Sequence, residues 1–194
     1  MSGPIHLGRP TAAERAALLD EQRVRPFSYH PVGISSADSS AAGYTFDGAT
    51  AIVGAGRGTY LRAIECLRTW DVHRAAGMQI TASGPVAPET TVVMSLPVGI
   101  LHVTAACRVV DVVESERSWE FAYGTLEHHV ESGEERFRVV LDREDRVRFE
   151  ISAFARPAHL LTRVGAPFTR RLQHRATLRY LHALQTLVDA SAAP

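Results

Sequence analysis

The sequence contains no lysine, so each of its 21 basic side chains is an arginine. Lysine is the residue that forms a Schiff base with pyridoxal phosphate, and that chemistry is therefore excluded. A P-loop also requires a lysine, which excludes this class of nucleotide-binding protein. We predict that the protein uses no cofactor.

Cysteine is nearly absent as well, since the chain has only Cys66 and Cys107. Two cysteines so placed form neither a disulfide framework nor a zinc motif, and we interpret them as small buried side chains. The most apolar run, residues 91–107, is interrupted by a proline, a glycine and a histidine and is too short to cross a bilayer. The N-terminus lacks the apolar core of a signal peptide. These features predict a cytoplasmic protein without a membrane span.

Neither sign of charge is in excess, because 21 acidic side chains match the 21 basic ones. A balanced chain gives no electrostatic reason to expect nucleic acid or an anionic membrane as a partner. The last predicted helix is locally basic, with Arg170, Arg171, His174, Arg175 and Arg179. We interpret this set as the solvated face of an amphipathic helix, and we predict no nucleic-acid partner. The sequence leaves the oligomeric state open.

Hydrophobic periodicity divides the chain into helices and strands. Thr11 and Glu14 form a capping box that starts a short helix ending near Gln22. Residues 57–76 have a helical stripe. Residues 33–56 are rich in Gly, Ser and Ala and are predicted mostly as loop, with a short strand considered around residues 49–53. Strands are predicted at residues 90–96, 100–113, 118–126, 134–141 and 147–154, and a final helix at residues 167–188.

This order of elements predicts the α+β class. The expected architecture is a curved antiparallel sheet of about five to seven strands, with a long C-terminal helix packed on it. Such a helix-grip arrangement often leaves a cavity between sheet and helix. We assign residues 1–24 to an N-terminal helical extension and residues 25–194 to a single α+β domain.

The hairpin formed by residues 118–141 carries most of the side chains that are able to do chemistry. Alternate residues of a strand point to opposite sides, and matching the apolar sides of two strands sets their pairing. The predicted pairs are Trp119 with Leu141, Phe121 with Val139, Tyr123 with Phe137, and Thr125 with Glu135. Glu135 then points to the buried side, where a carboxyl group is costly unless it is hydrogen-bonded or lines a wet cavity.

Three functions are compatible with an inward Glu135. In the first, a small, largely apolar ligand binds between the sheet and the C-terminal helix. Its predicted contacts are the apolar side chains of Trp119, Phe121, Tyr123 and Phe137, and the polar side chains of Thr125, Glu135 and Arg156. In the second, a cyclase, isomerase or hydrolase uses Glu135 as its general acid or base, assisted by His129 and Tyr123. In the third, the protein is an interaction module, and Glu134, Glu135 and Arg136 only stabilise the hairpin.

A glycine-rich stretch and a pair of adjacent histidines suggest a dinucleotide site and a metal site, but the surrounding sequence argues against both. Residues 54–58 read Gly-x-Gly-x-Gly before a helix, but this is not the dinucleotide-binding spacing and no βαβ unit follows. His128 and His129 lie among carboxyl groups at the hairpin tip, a composition that suits a transition metal. Adjacent histidines on a strand point apart, however, and no known ligand spacing is present. We therefore predict neither a dinucleotide nor a metal site.

Several segments resemble one known family. They are Phe27-Ser28-Tyr29 with Val32-Gly33, Trp70 with Ala76-Gly77, Cys107-Arg108-Val109-Val110, Tyr123-Gly124-Thr125-Leu126, Ser132-Gly133-Glu134-Glu135-Arg136-Phe137, Phe154 to Pro157, Gln173 and Tyr180. The pattern is similar to that of the bacterial and plant family called domain of unknown function nineteen-ninety, and it extends over most of the chain after residue 25. His129 matches the histidine of the family's hairpin tip. The chain departs from the family at Glu127, His128 and Val130.

The family resemblance implies no established activity. The order of the elements also resembles that of START-like helix-grip proteins, which hold apolar ligands. The departures at the hairpin tip imply a differently shaped loop around His129.

Overall fold

The computed structural model describes residues 3–36, 44–157 and 166–190. Its strands are β1 (Ile5–Leu7), β2 (Thr45–Ala55), β3 (Gln79–Ala82), β4 (Thr91–Val98), β5 (Leu101–Glu114), β6 (Ser118–Thr125), β7 (Glu131–Leu141) and β8 (Arg146–Pro157). Its helices are α1 (Ala12–Gln22), α2 (Gly56–Arg68), α3 (Asp71–Ala75) and α4 (Ala166–Ala190). The capping box predicted at the start of α1 is present, since the Thr11 hydroxyl accepts a hydrogen bond from the Glu14 N–H.

An antiparallel sheet dominates the fold. Its strands lie in the order β2-β8-β7-β6-β5-β4-β3, and β1 pairs with β5 beside this path. The run from β4 to β8 is the five-strand meander predicted from the sequence, and the other three strands extend the described sheet to eight. Helix α4 lies against β2, α2 and α3. The α+β class and the helix-grip arrangement are therefore confirmed.

The predicted pairing of β6 with β7 is wrong by two residues. The observed partners are Trp119 with Val139, Phe121 with Phe137, and Tyr123 with Glu135. Strand β7 begins at Glu131, three residues earlier than predicted, so the connecting loop is shorter and the pairing shifts. A shift of two leaves every side chain on its predicted side, and for this reason side-chain alternation did not reveal it. Tyr123, rather than Thr125, lies directly opposite Glu135.

Two other segments differ from their predictions. The helix predicted over residues 57–76 is interrupted at Trp70, whose φ of 66° is left-handed. The buried Trp70 indole donates a hydrogen bond to the Gly84 carbonyl at 3.0 Å, which stabilises this break. Residues 45–55, predicted mostly as loop, form β2 because their backbone pairs with β8 along its length. The small side chains of β2 give a weak strand signal, and tertiary pairing overrides it.

The sheet is covered on both faces. Its inner face carries Tyr123, Glu135 and Phe137, and the main apolar core lies between this face and helices α2, α3 and α4. Its outer face carries α1, whose Leu18 and Leu19 form a smaller apolar cluster with residues of β4, β5 and the β6–β7 loop. The two faces alternate along each strand, so neighbouring residues enter different environments.

Helix α4 covers the inner face with an apolar stripe. Tyr180, Leu184 and Val188 of this stripe are buried. Leu172 of the same helix lies outside the residues whose side chains are described. Within the described part of the chain, no helix is long and apolar enough to span a membrane. The division between an extension at residues 1–24 and a domain at residues 25–194 stays a prediction.

Candidate functional site

A cavity of about 210 Å³ lies between the inner face of the sheet and α4. Most of its wall is apolar, with side chains that include Met78, Met94, Leu96, Val98, Val103 and Ala176. Small residues of β8 create the space. Ala153 pairs with Glu135 of the neighbouring strand β7, and Ala155 pairs with Gly133. A mostly apolar cavity with a few polar groups is the usual form of a small-molecule site.

The main polar feature of the cavity wall is a pair formed by Tyr123 and Glu135. The Tyr123 hydroxyl donates a hydrogen bond to Oε2 of Glu135 at 2.5 Å. Burial raises the pKa of Glu135 to about 7, the Tyr123 hydrogen bond opposes this rise, and the carboxyl groups of Glu131 and Asp47 add to it. Burial also raises the pKa of Tyr123 well above its ordinary value. The pair therefore combines a neutral phenol with a carboxyl that titrates near neutral pH.

Helix α4 contributes Tyr180 to the same wall. Its hydroxyl lies 3.4 Å from the sulfur of Met78, and burial raises the pKa of the phenol well above its ordinary value. Behind Tyr180 and Tyr123 lies His73 of α3, with ring centroids 5.0 and 6.0 Å away from theirs. His73 is fully buried, and burial lowers its pKa to about 3, so its imidazole is neutral.

The three predicted aromatic contacts other than Tyr123 lie in the core next to the cavity. Phe121 and Phe137 stack on each other at 5.1 Å, and Phe137 meets the ring of Tyr180 edge-on at 5.1 Å. Trp119 packs beside Phe121 at 5.7 Å, farther along β6. These rings are fully buried and support the side chains that form the wall. Their role in ligand binding stays a prediction.

Of the three remaining predicted site residues, His129 and Thr125 line the cavity and Arg156 does not. His129 lines the cavity, and its Nδ1 accepts a hydrogen bond from the Glu131 N–H at 2.9 Å. Thr125 also lines the cavity, but its hydroxyl accepts from the Gly133 N–H at 3.0 Å and lies 2.6 Å from the Ser28 hydroxyl. Arg156 is exposed and packs over the ring of Tyr44 at 4.9 Å, away from the cavity wall.

A second buried carboxyl lies on the outer face and forms what we call the outer clamp, made of Tyr29, Gly33, Ile34, Ser35 and Glu134. Tyr29 donates to Oε1 of Glu134 at 2.6 Å, and the amides of Gly33 and Ile34 donate to the same oxygen. The amide and hydroxyl of Ser35 donate to Oε2 at 2.9 and 2.6 Å. Five donors thus satisfy one carboxyl group and fasten the segment before β2 onto the sheet.

The outer clamp requires a close approach of Tyr29 to the sheet. A β-carbon at Gly124 would overlap the Tyr29 hydroxyl, so only glycine leaves room for the ring. Gly133 has a φ of 154°, and a β-carbon there would overlap the Phe154 carbonyl. Residues 27–32 lie outside the named strands and make one described bridge, from Phe27 to Leu126.

Sequence reasoning missed several of these residues. Asp47 and Glu131 gave no signal because their strands were predicted as loop or as starting later. Met78 was missed although the end of the preceding helix was predicted to within one residue. Tyr180 was present in the family pattern, and its position on the buried stripe of the last helix would have placed it on the inner face.

The two histidines at the hairpin tip point to different surroundings, as expected for adjacent residues. The ring of His128 stacks on His6 of β1 at 6.1 Å, whereas His129 lines the cavity. Across the described ranges, no three His, Cys, Asp or Glu side chains are grouped as metal ligands would be. The glycine-rich stretch at residues 54–58 forms the end of β2 and the start of α2, where the Gly56 N–H donates to the Asp145 carbonyl at 2.7 Å.

The long helix gripped by an antiparallel sheet, with a cavity between them, defines the helix-grip class. A hypothetical protein from Helicobacter pylori matches with a TM-score of 0.60, 9% identity and coverage of 83% of this chain and 96% of that one. The Zhui aromatase/cyclase from Streptomyces matches with a TM-score of 0.56 at 13% identity, covering 77% of this chain and 95% of that one. Norcoclaurine synthase from Thalictrum flavum, solved with dopamine and hydroxybenzaldehyde, matches with a TM-score of 0.52 at 11% identity, covering 81% and 97%. At such low identity these matches establish the fold alone.

The chain belongs to the family described as Domain of unknown function (DUF1990), whose model matches residues 28–183. This finding confirms the family resemblance seen in the sequence. A UPF0548 protein of Arabidopsis thaliana is 27% identical over 95% of this chain and 97% of its own length. A UPF0548 protein of Deinococcus radiodurans is 30% identical over 90% of this chain and 94% of its own length.

Proposed function

We propose that this protein binds a small, largely apolar molecule in the cavity between the sheet and α4. The observation that carries the proposal is a mostly apolar cavity of about 210 Å³ with the hydrogen-bonded Tyr123–Glu135 pair in its wall. Apolar walls supply affinity by removing ligand surface from water, and a few fixed polar groups orient the ligand.

The position of Glu135 gives this proposal its polar anchor. Tyr123 donates to Oε2 of Glu135, which leaves Oε1 as a further acceptor on a residue that lines the cavity. A buried carboxyl group lowers stability, and a protein that keeps one often uses it in a functional site. Fastening the outer segment does not require Glu135, because Glu134 already provides those hydrogen bonds. We infer that Glu135 is retained for the ligand.

Filling the cavity tests this proposal. The full chain is titrated with a neutral apolar probe, 2-naphthalenemethanol, and native mass spectrometry of gently purified protein looks for a co-purified molecule. Ala153→Leu extends a side chain into the cavity and should abolish both signals, while Ala16→Leu on the exposed side of α1 should leave them unchanged. Probe binding that survives in a folded Ala153→Leu variant would place the ligand elsewhere, and absence of any binding by the unaltered protein would contradict the proposal.

An enzyme of the cyclase, isomerase or hydrolase type on the same scaffold is the second candidate. Support comes from a carboxyl with a pKa of about 7, since acid–base catalysis is most effective near the operating pH. Two proteins with the same fold are described as an aromatase/cyclase and a synthase. In this candidate Glu135 transfers the proton, and His129 and Tyr123 assist it. Conversion of the co-purified molecule by the unaltered protein, lost in Glu135→Gln while binding remains, is the expected result.

The interaction-module alternative makes a different prediction for the same residue. It assigns Glu134, Glu135 and Arg136 to stabilising the hairpin, and it predicts that Glu135→Gln changes stability alone. Arg136 does make such contacts, since it pairs with Asp111 at 2.8 Å and with Glu120 at 3.2 Å. Glu134 instead accepts the hydrogen bonds of the outer clamp. The placement of Glu135 in the wall of a mostly apolar cavity favours the ligand-binding proposal over this one.

A further inference from the structure

We propose that the cavity selects ligands that carry a protonated amine on an apolar body and disfavours ligands that carry a carboxylate. This inference rests on the proposed function, because it specifies the chemical class of the ligand for the same cavity. It follows from the signs of the charges around the cavity wall.

Carboxyl groups are the most numerous ionisable groups of the described wall. Among the described residues that line the cavity, Asp47, Glu131 and Glu135 present carboxyl groups, and Glu134 directs its carboxyl to the outer clamp instead. No arginine is among these described lining residues, although arginine is abundant in the chain. A wall of this kind has a negative potential once its carboxyl groups ionise.

The neighbouring aromatic and imidazole groups do not reverse this sign. Burial raises the pKa values of Tyr123 and Tyr180, so both phenols stay neutral. The pKa of His73 is lowered to about 3, so the imidazole behind them adds no positive charge above that pH.

Two arginines of α4 lie close to the cavity but on a separate groove. Arg175 and Arg179 border this groove together with Pro97 and Gly99 of the β4–β5 turn. Both side chains are exposed, and water screens their charge from the interior. They therefore influence the approach of a ligand more than its bound state.

The desolvation of the ligand decides between the two charge types. A carboxylate that enters the cavity loses its water and meets the carboxyl group of Glu135, and no arginine among the described lining residues compensates its charge. An ammonium group that donates to Oε1 of Glu135 forms a charge-assisted hydrogen bond in an apolar environment. An alcohol of the same shape makes only a neutral hydrogen bond and should have intermediate affinity.

The proton on Glu135 gives this selectivity a pH dependence. Below about pH 7 Glu135 is protonated, and a bound ammonium group lowers its pKa and releases that proton. Amine binding should therefore strengthen as the pH rises from about 5.5 to 7.5, by up to about tenfold per pH unit. Alcohol binding involves no such proton release and should change much less.

Three probes with one skeleton test the inference on the full chain. They are 2-naphthylmethylamine, 2-naphthalenemethanol and 2-naphthoate, and their dissociation constants are measured by calorimetry at pH 5.5, 6.5 and 7.5. At pH 7.5 we expect the amine to bind at least about tenfold more tightly than the alcohol, with the carboxylate weakest. Equal or tighter binding of the carboxylate would overturn the inference while leaving the proposed function intact. Failure of all three probes to bind would overturn the proposed function itself.

Two variants test whether Glu135 causes the preference for the amine. Glu135→Gln should reduce amine binding to the level of the alcohol and remove its pH dependence, while alcohol binding persists. Glu116→Gln is the matched control, because Glu116 is exposed in the β5–β6 turn, and it should behave as the unaltered protein does. An amine preference that survives in folded Glu135→Gln would overturn the assignment to Glu135. If Glu135→Gln does not fold, the pH series on the unaltered protein decides, since a pH-independent amine affinity would contradict the role of Glu135.

Discussion

Glu134 and Glu135 are adjacent on β7, yet their carboxyl groups enter opposite faces of the sheet and meet opposite conditions. Glu134 accepts five hydrogen bonds within the outer clamp. Glu135 accepts one from Tyr123 beside an apolar cavity. The hydrogen bonds of the protein thus satisfy the carboxyl group of Glu134. The carboxyl group of Glu135, beside the cavity, is able to accept further hydrogen bonds.

The first prediction compares the two glutamates by stability. Glu134→Gln places an amide NH₂ group among donors and should lower the free energy of unfolding by about 1–3 kcal/mol. Glu135→Gln disturbs one hydrogen bond and removes a desolvated acid, so it should cost less at pH 7.5. Urea denaturation of both variants at this pH measures the difference. An equal or larger loss in Glu135→Gln would show that Glu135 has the structural role.

The second prediction concerns the phenol of the outer clamp. Tyr29→Phe removes its hydrogen bond to Glu134 and should lower the free energy of unfolding by about 1.5 kcal/mol. Probe binding in the cavity should be unchanged, because Tyr29 lies on the outer face. Denaturation and calorimetry on the same preparation test both parts. Weaker probe binding without a change in stability would contradict this assignment.

The third prediction is a pH effect on stability due to Glu135. Its pKa is about 7 in the folded protein, against 4.5 as its ordinary value, so the folded state holds a proton that the unfolded state releases. This contribution is fully present below pH 4.5 and is lost as the pH rises toward 7, at about 1.4 kcal/mol per pH unit. The variant His73→Phe, which lacks the opposing group described next, should reveal it as stability that falls between pH 4.5 and 7. A flat profile in that variant would contradict the raised pKa.

The fourth prediction concerns His73, whose two ring nitrogens have no hydrogen-bond partner among the described residues. Its pKa is about 3 in the folded protein and 6.5 ordinarily, so the unfolded state binds a proton that the folded state does not. Stability from this group is present above pH 6.5 and is lost as the pH falls toward 3. Glu135→Gln should therefore show stability that rises between pH 4.5 and 6.5. A profile that falls with pH in that variant would rule out the neutral, desolvated state of His73.

Side-chain alternation correctly predicted that the inner face of the hairpin carries Tyr123, Glu135 and Phe137, because its period of two depends only on the strand. It did not predict that Tyr123 faces Glu135, since this pairing depends on where β7 begins. The break at Trp70 was also missed, because the apolar stripe continues from α2 into α3 and the left-handed residue is stabilised by a distant contact with Gly84.

The outer clamp was not predicted for a related reason. Serine, tyrosine and glycine residues in a loop carry no periodic pattern, and nothing local shows that their donors converge on one carboxyl. The family pattern did include Tyr29, Gly33 and Glu134 without stating what connects them. The contacts in the structure supply the connection.

The outer clamp also bears on how the chain folds during its synthesis. Tyr29 precedes Glu134 by 105 residues, so the ribosome must release most of the chain before the two side chains meet. Until then the amides of residues 33–35 lack the Glu134 carboxyl group as acceptor. Folding of this segment before β7 is synthesised is therefore not stabilised by these hydrogen bonds. We expect nascent chains that end before β7 to be cleaved by proteases near residues 27–36, and chains that extend beyond β8 to resist cleavage there.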